Sequence, residues 1–266
     1  CMSKSVFIIY TGGTAGMKKS KKGYIPCSGY LQKLLLKNSK FFASGMPNFT
    51  ISEFDPLLDS ANIRPTHWEQ IAQQIVENHD LYDGFIVIHG TDTMAYTASA
   101  LSFMIENLKK PVILTGSQIP LSESRNDAET NILLSLSLIA SYHEIMSEVF
   151  VCFDNSLFRG NRTTKVDADS FSAMASPNFP KIVKAGVYID CRTDLLRKKP
   201  LDESLVSFSR MHFGAVASIR LFPGIRSEYI KNILQPPAQA VILECYGAGN
   251  VPNNDTSILD TIREAV

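Results

Sequence analysis

Two apolar runs, Ser5-Val6-Phe7-Ile8-Ile9-Tyr10 and Gly84-Phe85-Ile86-Val87-Ile88-His89, set the frame for this chain. Both are continuous in β-branched and aromatic residues rather than alternating with polar ones, the pattern of strands covered on both faces of a parallel sheet. Each leads at once into a glycine turn that carries threonine, Thr11-Gly12-Gly13-Thr14 and Gly90-Thr91-Asp92-Thr93. Ligands bind at the carboxyl ends of strands in such sheets. The two turns are therefore expected to aim hydroxyl-bearing loops at one place.

Strand-like and helical runs alternate along most of the chain, which argues for parallel βα units. Pro65 and Thr66 open a helical segment with Trp68, Ile71, Ala72, Ile75 and Val76 on one stripe. After the second threonine turn, Met94, Ala98, Leu101, Ile105 and Leu108 recur at helical spacing, which puts Asp92 where a helix cap is expected. A strand over 111–115, a Gly-Ser-Gln loop, a helix through 132–139 and a strand over 149–153 follow. The charged stretch 192–210 contains Pro200 and has no sustained period, so it reads as a connector. The expected organisation is a large α/β domain over 1–191, a linker over 192–212 and a smaller α/β domain over 213–266. That last piece offers strands at 215–221 and 240–245 around a helix at 227–234, then a terminal helix. So few elements cannot make a stable layer alone, and the second domain is read as incomplete.

Composition narrows the function classes. In 266 residues, Lys plus Arg and Asp plus Glu both number 26, which removes the basic footprint of a nucleic-acid-binding domain. No apolar run is long enough to span a bilayer, and the N-terminus enters a strand without a signal-peptide pattern, so a cytoplasmic protein is expected. Five cysteines stand without a C-x-x-C pair and five histidines without H-E-x-x-H spacing. Free thiols, no metal and no cofactor are the expectation.

Phosphate cradling fails on spacing. Five residues beyond Gly12 stands Met17 and five beyond Gly13 stands Lys18, which breaks the P-loop pattern, and Gly12-Gly13-x-x-Gly16 is no dinucleotide fingerprint. Acyl transfer by a threonine fits better, because a hydroxyl on a tight turn can reach a carbonyl while glycines admit close backbone donors. Thr14 and Thr91 are the candidate hydroxyls, and Tyr24, Lys165 and Asp92 the groups able to handle a proton. Each has a plainer alternative: local backbone bonding for the threonines, a helix cap for Asp92, a solvated charge for Lys165 and packing for Tyr24. His89 reads as a hydrogen-bonded structural histidine rather than a base.

Several segments together resemble the bacterial-type L-asparaginase family, and most closely its cytoplasmic, type I branch. They are Thr11-Gly12-Gly13-Thr14, the His89-Gly90-Thr91-Asp92-Thr93 core, Gly23-Tyr24-Ile25-Pro26, Asp59-Ser60, Thr115-Gly116-Ser117-Gln118, residues 160–165 and Tyr246-Gly247-Ala248-Gly249-Asn250. The resemblance implies a two-domain asparaginase-like fold that hydrolyses the side-chain amide of L-asparagine, with Thr14 as nucleophile, Tyr24 on a mobile flap, and a Thr91–Asp92–Lys165 cluster. It further implies substrate contacts from Gly13, Asp59, Ser60, Thr91, Asp92, Ser117 and Asn250, and backbone donors near Thr91 and Ser117 for the oxyanion. A covalent acyl-Thr14 route and direct attack by water at Thr91 both stay open. A homodimer or homotetramer with sites near the subunit interface, allosteric activation by asparagine, and family chains that continue past Val266 are implied as well. Two other functions share these signatures: the glutaminase-like subunit of a tRNA-dependent amidotransferase, and an inactive amino-acid-binding homologue.

Overall fold

The computed structural model describes residues 3–201, 204–210, 214–254 and 256–265. The chain divides into two compact units, Cys1–Met211 and His212–Val266. In the first, eight strands form one sheet: β1 (Ser5–Gly12), β2 (Asn48–Leu58), β3 (Gly84–Ile88), β4 (Val112–Thr115), β5 (Val149–Phe153), β6 (Ser156–Arg159), β7 (Val183–Ala185) and β8 (Ile189–Cys191). Their order is β8-β7-β6-β5-β4-β3-β1-β2. The first five strands pair in parallel, and β6 to β8 extend the sheet antiparallel.

Two features of this sheet place the loops. Since β2, β1, β3 and β4 are parallel neighbours, the residues that follow each of them emerge along one edge. Since the chain steps from β1 to β2 on one side and then to β3 on the other, the order reverses between β1 and β3, where open α/β sheets leave a crevice. The β1–β3 register runs from Val6 opposite Gly84 to Tyr10 opposite Ile88, so the two threonine turns start level.

Both faces of the sheet are covered, as the continuous apolar runs require. Phe7, Ile9, Phe85, Val87, Val112 and Leu114 pack with α2 (Pro65–Asn78) and α3 (Met94–Met104). Val6, Ile8, Ile86, Ile88 and Ile113 pack with α1 (Tyr30–Lys37) and α4 (Ala128–Tyr142) on the opposite face. β2 has no counterpart among the sequence expectations. It is an edge strand with Pro56 and several polar positions, and a single neighbour leaves room for both.

The 192–210 stretch bonds into the first unit. Arg192 N–H donates to the Ile182 carbonyl, Arg197 N–H to Glu148 Oε1 at 2.7 Å, and Ser207–Phe208 pairs with Ile105–Glu106. The second unit pairs β9 (Val216–Arg220) in parallel with β10 (Ala240–Glu244) and adds α5 (Ser227–Ile233) and α6 (Thr256–Ala265). Ile219, Leu221, Ile225, Ile230 and Ile258 form its small core. No helix among the described residues is long and apolar enough to cross a membrane.

A buried polar chain ties three elements of the first unit together. Trp68 on α2 donates its indole N–H to Thr97 Oγ1 on α3 at 3.0 Å, and Thr97 Oγ1 lies 2.8 Å from His89 Nε2, just past β3. His89 Nδ1 lies 2.7 Å from the Gly90 carbonyl, which can only accept. The tautomer follows: Nδ1 carries the hydrogen, Nε2 accepts from the Thr97 hydroxyl, and the hydroxyl oxygen accepts from Trp68.

Burial lowers the His89 pKa to about 4. In the unfolded chain this imidazole takes up a proton near pH 6.5, so the folded state binds fewer protons between the two values. The stability His89 contributes is fully present above about pH 6.5 and is lost towards pH 4, by about 3 kcal/mol. Denaturant titrations from pH 7 to 4 should show wild type losing that much more than His89→Asn; parallel curves would rule the buried neutral imidazole out.

Candidate active site

Four loops meet along the parallel edge. After β1 come Gly13 and Thr14; after β2, Asp59 and Ser60; after β3, residues 89–93; after β4, residues 116–118. Their closest contacts are made at glycines. A Cβ at Gly13 would stand 2.6 Å from Gly90 Cα, and one at Gly90 would stand 2.5 Å from Ser60 Oγ. Gly13 also holds φ at 92°, in the left-handed region that favours glycine. Side chains at either glycine would push the loops apart. A Cβ at Gly116 would stand 2.3 Å from the His89 carbonyl oxygen, so the β3 turn is touched from three sides.

The two candidate nucleophiles are each one residue from this contact. Thr14 follows Gly13 and begins a single 3-10 turn, Thr14–Gly16, while Thr91 follows Gly90. Thr11 fastens the strands beneath by donating its hydroxyl to the Ile88 carbonyl at 3.1 Å. Both Thr14 and Thr91 are partly exposed, as a hydroxyl that meets a ligand must be.

Lys165 reaches the β3 turn from the short strand Thr164–Lys165. Its Nζ donates to Thr91 Oγ1 at 2.9 Å and to Asp92 Oδ1 at 2.7 Å. The Lys165 side chain is 19% exposed, whereas Asp92 is 63% exposed, so the amine is sheltered and its counter-charge is not. The Thr91 hydroxyl in turn points to Gln118 Oε1 at 3.4 Å. Asp92 therefore does not cap α3. The cap position is Thr93, whose hydroxyl donates to the Ser60 carbonyl at 2.7 Å, and the Asp92 carboxylate is drawn to the amine instead.

The remaining candidates take different places. Ser60 is buried, and Asp59 accepts from the Ala61 N–H at 2.9 Å, which sets the turn after β2. Ser117 is 2% exposed, and its hydroxyl has no hydrogen-bond partner among the described residues. Tyr24, expected on a mobile flap, sits on a two-stranded hairpin, Lys18–Ser20 with Gly23–Ile25. It is 43% exposed, and hydrogen bonding to Glu123 raises its phenol pKa. Asn250 belongs to the second unit.

Residue-level reasoning passes over Gln118 and Asp127. The buried Asp127 carboxylate accepts from the Gln118 and Ile119 N–H groups at 2.9 Å, and Gln118 Nε2 donates to the Ala168 and Ser170 carbonyls. That bracing holds the β4 loop against the segment that carries Lys165. A polar residue at the start of an otherwise apolar helix was the available signal.

Residues 5–197 match the family described as "Asparaginase, N-terminal". Over 262 residues, 98% of this chain and 76% of the relative, the sequence is 47% identical to L-asparaginase 1 of Escherichia coli (strain K12). The crystal structure of L-asparaginase I from Vibrio cholerae superposes with a TM-score of 0.91 at 44% identity, covering 99% of this chain and 78% of that one. The thermostable L-asparaginase from Thermococcus kodakarensis gives 0.83 at 30% identity, covering 98% and 76%. With the paired threonine turns at one sheet edge, these matches place the chain in the asparaginase family.

Proposed function

We propose that this chain hydrolyses the side-chain amide of L-asparagine to L-aspartate and ammonia, with Thr14 as nucleophile. The observation that carries the proposal is the contact of the two turns: Gly13 rests on Gly90, so Thr14 and the Lys165-bonded Thr91 flank one place. Family membership, and relatives that bear the name L-asparaginase, supply the substrate.

In this reading the Thr14 hydroxyl oxygen attacks the carboxamide carbon, and backbone N–H groups near Thr91 and Ser117 take the negative charge that moves to oxygen. The proton released by the Thr14 hydroxyl passes to the amide nitrogen, the carbon–nitrogen bond breaks, ammonia leaves, and an acyl ester remains on Thr14. Water then attacks that ester carbon at the Thr91 side, and its proton passes through the Thr91 hydroxyl to the departing Thr14 oxygen as the ester bond breaks. The Lys165 ammonium held by Asp92 steadies the Thr91 oxygen during the transfer, and aspartate departs. The raised Tyr24 pKa disfavours a phenolate, so Tyr24 acts in the proposal as a donor on a flap that closes over Thr14. Asp92 uses Oδ1 on Lys165 and offers Oδ2 to the substrate's ammonium, while the Ser60 hydroxyl and backbone N–H groups around Gly13 form the side that receives its carboxylate, with the Asp59 carboxylate turned to the Ala61 N–H and shaping that turn.

The wider reading is a cytoplasmic homodimer or homotetramer, activated allosterically by asparagine, with the active sites near a subunit interface and Asn250 reaching a neighbouring site. It includes a large domain over 1–191, a connector over 192–212 and a second domain over 213–266.

An ammonia-release assay tests the assignment. Thr14→Ala should abolish turnover while the unfolding midpoint stays within a few degrees, and retained activity refutes Thr14 as nucleophile. Lys165→Met should lower kcat by about 100-fold or more, with aspartate still bound. An unchanged kcat would reduce Lys165 to a structural charge.

A further inference from the structure

The carbonyl groups in three of the turns are each held by a buried side chain. Tyr10 donates its phenol hydrogen to the Gly13 carbonyl at 3.0 Å, His89 donates from Nδ1 to the Gly90 carbonyl at 2.7 Å, and Asn131 Nδ2 on α4 donates to the Gly116 carbonyl at 2.9 Å. The three side chains are 0%, 1% and 1% exposed. Each held glycine directly precedes a candidate site residue: Thr14, Thr91 and Ser117.

A trans peptide is planar, with its N–H pointing opposite to its C=O. A carbonyl fixed toward a buried donor therefore turns the next residue's N–H away from that donor. The three amides so turned, those of Thr14, Thr91 and Ser117, donate to no protein group among the described residues. The loops that carry them interlock at Gly13, Gly90 and Gly116.

The donors behind the carbonyls are themselves fixed. The Trp68–Thr97 pair holds His89 in the Nδ1–H tautomer, Asn131 Oδ1 accepts from the Asp154 N–H at 3.1 Å, and burial raises the Tyr10 pKa so that its phenol stays a donor. None of Tyr10, His89, Thr97 or Asn131 carries a step in the hydrolysis proposed above.

We propose that Tyr10, His89 and Asn131 are positioning residues that clamp the carbonyls of Gly13, Gly90 and Gly116, and so aim the N–H groups of Thr14, Thr91 and Ser117 at the oxygen of a bound carboxamide. The proposal deepens the asparagine reading and rests on it for the identity of that oxygen. Donors fixed before the reaction need no reorganisation as charge develops, and so act on the transition state more than on bound substrate.

Thr97→Val is the sharpest test, because it removes only the hydroxyl that holds His89 and leaves every group proposed to touch substrate. The clamp predicts a kcat for asparagine about 10-fold lower or more, with KM within about twofold. Thr97→Ser should restore kcat, and Tyr10→Phe should repeat the loss through the other turn. In 15N-edited NMR spectra, Thr97→Val should move the Thr91 amide resonance and leave that of Thr14 in place. A wild-type kcat in Thr97→Val, a loss confined to KM, or a serine variant as poor as the valine one would overturn the clamp. If wild-type protein releases no ammonia from asparagine, the substrate reading fails; the clamp is then decided by the Thr91 amide, and an unmoved resonance overturns it.

Discussion

The structure depends on a close contact made at glycines: the turn His89-Gly90 wedged among the backbones of Gly13 and Gly116 and the side chain of Ser60. Close packing leaves no slack at such a junction, since a single added methyl group would stand within 2.6 Å of the neighbour at Gly13 or Gly90. Four loops from different strands are thus fixed relative to one another before any ligand arrives. The sheet supplies the coarse placement through parallel pairing and a level β1–β3 register. The glycines supply the last ångström.

Around that junction the chemistry divides into a dry side and a wet side. Behind it, neutral donors with buried faces hold carbonyl groups, and burial suits them because none carries charge. In front, Lys165 and Asp92 meet across a gradient of exposure, so the charged pair keeps contact with water on the carboxylate side. Placing the ion pair in front and the neutral clamps behind avoids the desolvation cost of a buried charge pair. It also leaves the threonine hydroxyls at the boundary, where a polar substrate can reach them.

Much of this was legible in the residues. β1 and β3 could be read because burial on both faces forces continuous apolar runs, and α2 and most of α3 because one apolar stripe each faces the sheet, although α3 stops at Met104 and Ile105, read on the same stripe, pairs as a strand with Phe208. β2 could not, since an edge strand tolerates the polar residues and Pro56 that make it look like a loop. His89 was readable as a bonded structural histidine, but its partners were not. Thr97 and Trp68 sit on different helices, and only the α2–α3 packing brings them to one imidazole. The Lys165–Asp92 pair spans 73 positions, so no local pattern announces it, and family resemblance rather than spacing pointed there. Asn131 did leave a trace: it lies on the buried stripe of α4 with Ala128 and Ser135, where a polar amide needs a partner.

That two threonine turns serve a single ligand is the claim everything else elaborates. It is met most directly by a crystal structure of the protein soaked with L-aspartate. The side-chain carboxylate should lie between the Thr14 and Thr91 hydroxyls, within hydrogen-bond reach of both. A ligand held by one turn alone, or seated away from the Gly13–Gly90 contact, would contradict the account.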